Sequence, residues 1–391
     1  MTANVDSLPS LPFPRPAPLE PPAELAWLRA EAPVSRVRSI TGEPAWLVTR
    51  YEDARQVMSD RRFGLALPGA PGGVNDSLFQ DPPGHTRLRR LVTAAFTPRR
   101  VTDLRSRTTE IANTLVASMA AGERSVDLLE AFAFPLPITV ISELLGIPEA
   151  ERESFQAWSN ALVLGASQGA SADPGTGWQN LAQQVSGLIA SKRQQPGDDL
   201  LSALIAVPDT DGQLSEAELV MMAITLVMAG YATTAVATGL GTILLTSHDE
   251  FARLAAEPAL IPTAVDEVFR FQGASMDLAR VALEDLELAG VQIRAGDNVV
   301  VSITSANRDE RRFASPDRFD ITRADNPHLT FGHGIHHCLG AALARMELQV
   351  VFTILATQLP ELRLAIQTDE LEWQRSEFFG DEWPKTVPVS W

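Results

Sequence analysis

The spacing of hydrophobic and polar residues along the chain is mainly helical. In most of the sequence, apolar residues recur three and four positions apart, which places them on one face of an α-helix. This pattern predicts helices near residues 22–31, 51–59, 85–96, 101–121, 128–145, 149–165, 178–194, 215–245, 260–271 and 340–358. Alternating residues predict strands only near 35–49 and at 278–301. We therefore expect a mainly α protein with small β-sheets.

No repeat, heptad run or low-complexity linker divides the chain, and the glycine-rich breaks are typical of loops. We expect a single domain over residues 1–391, with a proline-rich, extended segment at residues 1–22. The stretch from Val220 to Leu245 has no charged residue and is long enough to span a bilayer. Acidic residues flank it and no basic cluster would orient it, so we favour a buried central helix with a capping box at Ser215–Glu218.

Composition and charge narrow the function classes. The net charge of −17 is unfavourable for binding nucleic acid, because phosphates attract a basic surface. A single cysteine cannot form an internal disulfide, and the N-terminus lacks the pattern of a secretion signal. We therefore predict a cytoplasmic protein that binds neither membrane nor nucleic acid.

That single cysteine, Cys338, lies in the segment FGHGIHHCLG at residues 331–340. Gly332, Gly334 and Gly340 permit left-handed turns and close approach of the backbone to another group. Helix-favouring residues begin directly afterwards, so the thiol is predicted in a tight loop just before a helix N-terminus. Backbone amides and the helix dipole stabilise a thiolate there, although a lone cysteine also occurs as a small hydrophobic residue.

A thiolate in this loop has three chemical uses. It could be a nucleophile assisted by His336 or His337, but the required orienting acid and oxyanion site are not evident in the sequence. It could bind zinc together with these histidines and His333, but four ligands within six residues are too crowded for ordinary tetrahedral spacing. It could also be the axial ligand of a haem iron.

The segment resembles the haem-binding loop of the cytochrome P-450 superfamily, Phe-Gly-x-Gly-x-x-x-Cys-x-Gly, at all five defined positions. Other motifs follow in the family's order, so the resemblance covers essentially the whole chain, and it is closest to soluble bacterial members of natural-product pathways. It implies the cytochrome P-450 fold, a triangular helical prism enclosing haem b (iron protoporphyrin IX). It also implies that Cys338 binds iron and that Phe331 and Gly340 lie beside the haem.

Further residues acquire expected roles from the same resemblance. Those expected to contact the haem propionates are His85, Arg89, Arg280 and His336. The Glu-x-x-Arg pair of the family matches Glu267 and Arg270, which are three residues apart on a predicted helix, and Arg318 matches its third partner. These three are expected to support the fold rather than to react.

The segment Ala229-Gly230-Tyr231-Ala232-Thr233-Thr234 resembles the family's central-helix motif, Ala-Gly-x-Asp/Glu-Thr-Thr. Ala229 and Gly230 are expected to pack against the haem, and Thr233 matches the residue that supports protonation of dioxygen. The usual acid is replaced by Ala232. A threonine hydroxyl cannot act as a proton reservoir at neutral pH, so protons must reach the site by another route.

The resemblance also suggests where a substrate would bind. The loop at residues 64–79 would cover a mostly apolar pocket suited to a neutral small molecule. The candidate substrate contacts are Leu65, Leu67, Phe79, Ala232, Ser275, Met276, Leu278, Phe378 and Phe379.

The expected reaction is monooxygenation, by hydroxylation or epoxidation, of a small natural product in secondary metabolism. Electrons would come from NAD(P)H through a ferredoxin reductase and a ferredoxin, for which the arginines at 87, 90, 99 and 100 form a candidate docking surface. The loss of the acid at Ala232 leaves open oxidative C–C or C–N coupling, or ring closure, without oxygen insertion. More distant alternatives are a non-enzymatic haem-thiolate sensor and a zinc or Cys-His hydrolase.

Overall fold

A computed structural model of the chain describes residues 8–17, 19–67, 70–71, 74–95, 98–163, 174–207, 213–272, 277–375 and 382–391. The α-helices within these residues are α1 (Ala23–Glu31), α2 (Tyr51–Ser59), α3 (Gly84–Ala95), α4 (Pro98–Ala121), α5 (Pro135–Leu145), α6 (Arg152–Val163), α7 (Pro174–Gln194), α8 (Leu200–Ala206), α9 (Glu216–Ser247), α10 (Phe251–Ala256), α11 (Ile261–Gln272), α12 (Ile303–Ala306) and α13 (Ala341–Gln358).

The strands are shorter and mostly lie in the second half of the chain. They are β1 (Val34–Arg38), β2 (Pro44–Val48), β3 (Phe63–Leu67), β4 (Ala70–Pro71), β5 (Ser125–Asp127), β6 (Leu278–Ala282), β7 (Leu286–Leu288), β8 (Val291–Ile293), β9 (Asn298–Val301), β10 (Arg363–Leu364), β11 (Trp373–Arg375), β12 (Glu382–Pro384) and β13 (Pro388–Ser390). The predicted class, mainly α with small sheets, is confirmed.

The chain divides into two compact units, and each draws on separate stretches of sequence. The first unit consists of residues up to 73, 240–341 and 366–385, and the second consists of 74–239, 342–365 and 386–391. The expectation of a single domain over residues 1–391 stays a prediction.

The first unit is built on a six-stranded sheet with the order β1-β2-β9-β6-β3-β4. The β2–β9 pair is parallel and the other pairs are antiparallel. Val299 and Val301 of β9 are fully buried in a core that also contains Val57 of α2 and Phe313. The described part of the N-terminal segment lies along this sheet, where Leu11 N donates to the carbonyl of Arg38 over 2.8 Å.

The second unit is mainly helical, and a small sheet of order β10-β13-β5 accompanies it. Helices α6 and α7 are antiparallel neighbours, and Gly177 lies where they approach most closely. A Cβ at Gly177 would be only 2.8 Å from the backbone nitrogen of Leu162, so a larger residue would push the two helices apart.

Helix α9 begins with the predicted capping box. The hydroxyl of Ser215 accepts from Glu218 N at 3.1 Å, and the Glu218 carboxylate accepts from Ser215 N at 2.8 Å. By length and composition α9 could cross a membrane, but 56% of its most apolar window is buried within the protein. This burial is typical of a core helix, as the sequence predicted.

Candidate active site

The cysteine loop of the first unit is a tight turn that ends at a helix. Cys338 N donates to the carbonyl of Phe331 over 2.8 Å, and α13 begins three residues after the cysteine. Gly334 has a φ of 74°, and a Cβ there would be 2.5 Å from the carbonyl oxygen of Met58. Only glycine fits this position without moving the backbone of α2. The Cys338 side chain is exposed rather than packed as a small core residue.

Asn307 holds the segment that precedes this loop. Its Oδ1 accepts from Leu329 N over 2.7 Å, and its Nδ2 donates to the Thr330 hydroxyl over 2.9 Å. The Thr330 hydroxyl in turn donates to the carbonyl of Phe269 on α11 over 2.7 Å. The Asn307 side chain and the carbonyl of Phe269 therefore fix Leu329 and Thr330, which lead to Cys338.

The predicted pair Glu267 and Arg270 is a fully buried ion pair on α11. Arg270 donates to both carboxylate oxygens of Glu267, over 2.7 and 2.8 Å. Its remaining donor group reaches the carbonyls of Asn307 at 3.0 Å and Pro316 at 2.7 Å. A buried charge pair is tolerated when hydrogen bonds satisfy the rest of both groups, and this pair meets that condition.

The third partner of this pair differs from the prediction. The Arg318 side chain is exposed, and the residue contributes only its carbonyl, which accepts from Arg270 over 3.2 Å. Arg323 instead places its guanidinium 3.2 Å from the Glu267 carboxylate, and Asn326 donates to the same oxygen over 3.1 Å. The assignment of Arg318 was wrong, because the turn at 309–323 directs the later arginine inward.

Two other predicted residues of the first unit, Arg280 and His336, have defined positions in the structure. Arg280 is on β6, opposite Leu65 and Val299 in the sheet, and its side chain is buried. Its Nη1 donates to the carbonyl of Ala279 over 2.8 Å. His336 ends a short 3-10 turn at Gly334–His336, two residues before Cys338.

In the second unit, His85 and Arg89 lie one turn apart on α3. His85 is buried. Burial lowers the pKa of its imidazole, the positive charge of Arg89 lowers it further, and Asp81 opposes both effects. The lowered pKa favours the neutral imidazole, which can donate one hydrogen bond.

Helix α9 has one exposed stripe within an otherwise buried middle section. Ala229 and Thr233 are exposed, whereas Tyr231, Ala232 and Thr234 are buried. The Thr233 hydroxyl donates to the carbonyl of Ala229 over 2.5 Å. Ala232, the position of the missing acid, does not share the exposed face, and its expected role as a substrate contact is not supported by this burial.

The remaining substrate candidates are mostly outside the described residues. This applies to Ser275, Met276, Phe378 and Phe379, and to the side chain of Leu67. Leu65 is buried on β3, Leu278 packs against the core of the first unit, and Phe79 is 38% exposed.

The candidate docking surface for a ferredoxin carries less unneutralised positive charge than the sequence predicted. Arg87 forms a 2.5 Å ion pair with Glu218 and donates to the carbonyl of Gln213, which neutralises part of its charge. Arg90 is exposed, and the side chains of Arg99 and Arg100 are outside the described residues.

The chemistry of the donor set distinguishes the two metal-binding uses of the thiol. Among the described residues, no group of three or more His, Cys, Asp and Glu side chains is placed to hold a metal ion. Zinc sites need three or four protein ligands. A single thiolate holds a metal when a cofactor supplies the other donors from its own ring, and haem does this. The exposed Cys338, with glycine at 340 leaving space beside its sulfur, fits this group.

Two buried polar groups were missed in the sequence. The hydroxyl of Tyr231 donates to Oδ1 of Asn160 over 2.6 Å and so ties α9 to α6. Glu347 on α13 is buried, and burial raises the pKa of its carboxyl to about 8. Both residues lie in apolar helical stretches. A single polar residue within such a stretch was the signal in the sequence that could have identified them.

Comparison with known proteins gives the family of the chain. A family model for cytochrome P-450 matches residues 178–375. Nocardicin C N-oxygenase of Nocardia uniformis subsp. tsuyamanensis is 41% identical, and the match covers 98% of either chain. Mycinamicin IV hydroxylase/epoxidase of Micromonospora griseorubida is 44% identical over 93% of this chain and 94% of that protein. The solved LnmA hydroxylase from the leinamycin biosynthetic pathway of Streptomyces atroolivaceus is 39% identical with a TM-score of 0.89, and the match covers 98% of this chain and 100% of that chain.

Proposed function

The chain belongs to the cytochrome P-450 family of haem enzymes, and from this membership we propose that Cys338 is the protein ligand of its haem iron. The enzyme is a haem-thiolate monooxygenase, and Cys338 is the only thiol in its 391 residues. The observation that carries the proposal is the position of this thiol, exposed on a glycine-bounded loop directly before a helix. The N-terminal dipole of α13 favours the thiolate form that binds iron.

His85, Arg89, Arg280 and His336 are the proposed partners of the haem carboxylates, and Ala229, Gly230, Phe331 and Gly340 are its proposed apolar contacts. Arginine donates paired hydrogen bonds to a carboxylate, and a neutral histidine donates one. Arg280 and His85 are both buried, so each is a poor partner for water and a good one for a buried anion.

Thr233 is the proposed proton-handling residue. Bound haem supplies the activation of dioxygen. The Thr233 hydroxyl already donates its proton to the Ala229 carbonyl, so its oxygen lone pairs are available to accept a hydrogen bond on the exposed face of α9. Since Ala232 provides no acid, we infer that a water chain or the substrate supplies the proton and that Thr233 positions it.

The proposed substrate is a small, mostly apolar natural product, and the proposed reaction is its hydroxylation or epoxidation in secondary metabolism. Relatives named as hydroxylases, epoxidases and N-oxygenases support an oxygen-inserting reaction. We further propose a cytoplasmic enzyme that uses dioxygen and receives electrons from NAD(P)H through a ferredoxin reductase and a ferredoxin.

Ala232 supports a second reaction class. Without a carboxylate at this position, the activated oxidant could instead carry out oxidative C–C or C–N coupling or ring closure, which needs the same two protons for O–O cleavage but inserts no oxygen. In such a reaction the substrate loses two hydrogens and dioxygen is reduced without entering the product.

The mass of the product distinguishes the two reactions. The haem-loaded enzyme is supplied with a surrogate ferredoxin, its reductase, NADPH, fractionated metabolites from the source organism and dioxygen labelled with the heavy oxygen isotope. One labelled oxygen in the product is expected for monooxygenation. A product that has lost two hydrogens and carries no label would establish oxidative coupling instead. If no metabolite is changed while a Cys338→Ala variant behaves identically, the proposed enzyme function is wrong.

A further inference from the structure

A cavity lies on the second unit, in the groove between α6 and α7. Its volume is about 570 Å³, enough for a small ligand, and it opens to solvent along one side. Its lining residues include Glu151, Ser154, Trp158, Gln184 and Gly187. None of these residues belongs to the site described above.

Two glycines of α7 explain the shape of this groove. At Gly177 the two helices are in close contact, and a Cβ would lie 2.8 Å from the Leu162 backbone nitrogen. Ten residues later, a Cβ on Gly187 would meet no atom within 4 Å. Gly187 is exposed, so at this position the face of α7 that lines the groove is open.

Gly187 has no packing reason to be glycine. A glycine inside a helix lowers stability relative to alanine, and the space beside Gly187 would accept a side chain. The missing side chain instead keeps the groove open along α7. The space beside Gly187 is therefore available to a ligand in the groove.

The remaining lining residues have a consistent chemistry. Trp158 is a half-buried indole, and amide and hydroxyl groups surround it, including those of Gln183, Gln184 and Ser154. Amides both donate and accept hydrogen bonds, as sugar hydroxyls do, and an indole face packs well against the C–H face of a sugar ring. Glu151 is the only charged residue in the lining, so the groove disfavours anions.

Gln184 is held in place within this groove. Its Nε2 donates to the Glu151 carbonyl over 3.1 Å and to the Ser154 hydroxyl over 3.2 Å. Its Oε1 is enclosed and accepts no hydrogen bond from the part of the chain that the structure describes. The Gln184 amide is therefore a fixed polar part of the groove wall.

We propose that the groove between α6 and α7 binds the sugar ring of a neutral glycoside, with Trp158 as the apolar contact and the amide and hydroxyl groups as hydrogen-bond partners. The site is separate in sequence from Cys338 and does not depend on the proposed reaction. A ligand of this size is expected to bind with a dissociation constant on the order of 1 mM.

Saturation-transfer NMR on the haem-loaded enzyme tests the proposal. The probes are the methyl glycosides of glucose, galactose and mannose, and cyclohexanol is the apolar control of similar size. At least one glycoside is expected to bind more tightly than cyclohexanol. Trp158→Ala and Gly187→Leu should each weaken that binding by about tenfold or more, whereas Trp27→Ala, which removes an exposed tryptophan on α1, should not.

Gly187→Leu is the decisive variant, because leucine is a better helix former and the variant should fold at least as well as the parent chain. Unchanged glycoside binding to Gly187→Leu would overturn the proposal. So would competition between the glycoside and imidazole, a ligand of haem iron, because it would place the glycoside at the haem. Absence of binding for all three glycosides well above 1 mM would overturn it as well.

Discussion

The guanidinium of Arg270 donates a 3.0 Å hydrogen bond to the backbone carbonyl of Asn307, and the Asn307 side chain holds Leu329 and Thr330. One residue thus connects the buried ion pair of α11 to the backbone that enters the cysteine loop. The ion pair therefore helps to fix the backbone at Leu329 and Thr330, which leads to Cys338, through Asn307.

Asn307→Ala removes both side-chain hydrogen bonds and leaves Leu329 N without its acceptor. We expect a loss of about 2–3 kcal/mol in the free energy of unfolding, because a buried donor left unsatisfied costs about 1–3 kcal/mol. We also expect weaker haem retention, measured as haem per protein after gel filtration. Asn113→Ala, which removes an exposed hydrogen bond to Gln358, is the control and should change stability by less than about 0.5 kcal/mol. Equal haem retention in both variants would contradict the positioning role of Asn307.

Arg323 and Arg318 offer a matched pair of substitutions. Arg323→Ala removes one of the two guanidinium groups that donate to the same oxygen of the buried Glu267 carboxylate, so a loss of about 1–3 kcal/mol is expected in chemical denaturation, the usual contribution of a hydrogen bond to a charged group. Arg318→Ala trims an exposed side chain while its carbonyl still accepts from Arg270, and it should cost less than about 0.5 kcal/mol. The reverse order of the two losses would restore Arg318 as the third partner.

These two arginines show which features could be predicted from sequence. The long helices and the cysteine loop were predictable, because local spacing determines them: α9 follows from its uncharged run and capping box, and the loop from its glycines. Which of two arginines five residues apart reaches Glu267 depends on how the intervening turn folds. That is a tertiary property, and hydrophobic periodicity carries no information about it.

The missed strands have a similar physical cause. Strands β5, β10 and β13 have two or three residues each, too few for an alternating pattern, and they pair across large separations in sequence. The short helices α8 and α10 were missed because one or two turns cannot establish a face. The burial of Ala232 and the exposure of Thr233 on neighbouring positions also required the packed structure, since both residues are small.

Glu347 makes stability depend on pH. Burial raises the pKa of its carboxyl to about 8 in the folded protein, whereas an unfolded glutamate has a pKa near 4.5. The folded state therefore binds one more proton between these values, and the stabilisation present below about pH 4.5 is lost as the pH rises towards 8. The contribution of this group should fall by up to about 3 kcal/mol between pH 4.5 and pH 7.

Glu347→Gln isolates this effect, because a neutral side chain of the same shape cannot titrate. The variant should show a weaker decrease in unfolding free energy with rising pH, and its advantage over the parent chain should be larger at pH 8 than at pH 5. Glu361→Gln alters an exposed carboxylate and serves as the control. A stability difference between Glu347→Gln and the parent chain that is constant with pH would rule out titration of Glu347 in this range.

Cys338 should report haem occupancy directly. It is exposed and is the only thiol in the chain, so a thiol reagent should label one group per chain in the haem-free protein. Haem loading should suppress labelling by about tenfold or more, since a metal-bound thiolate is not free to react. Cys338→Ser, with no thiol, gives the background. Rapid labelling of the fully loaded enzyme would show that another group binds the iron.

The hydroxyl of Thr233 should control how efficiently electrons are converted into product. Its exposed position on α9 and its hydrogen bond to the Ala229 carbonyl fix the oxygen at one place, and Ala232 offers no carboxylate to replace it. Thr233→Ala should lower product formed per NADPH oxidised by about tenfold or more, because positioned proton transfer contributes at least that much. NADPH oxidation should continue, with reduced oxygen species released instead.

Two further variants separate chemistry from packing at this position. Thr233→Ser keeps the hydroxyl and should recover most of the coupling, whereas Thr234→Val removes a buried neighbouring hydroxyl and should leave coupling near the parent value. If Thr233→Ala is as well coupled as the parent enzyme, proton supply does not pass through this hydroxyl. Both reaction classes need two protons to cleave dioxygen, so this result would place the proton route at another group whichever reaction the enzyme performs.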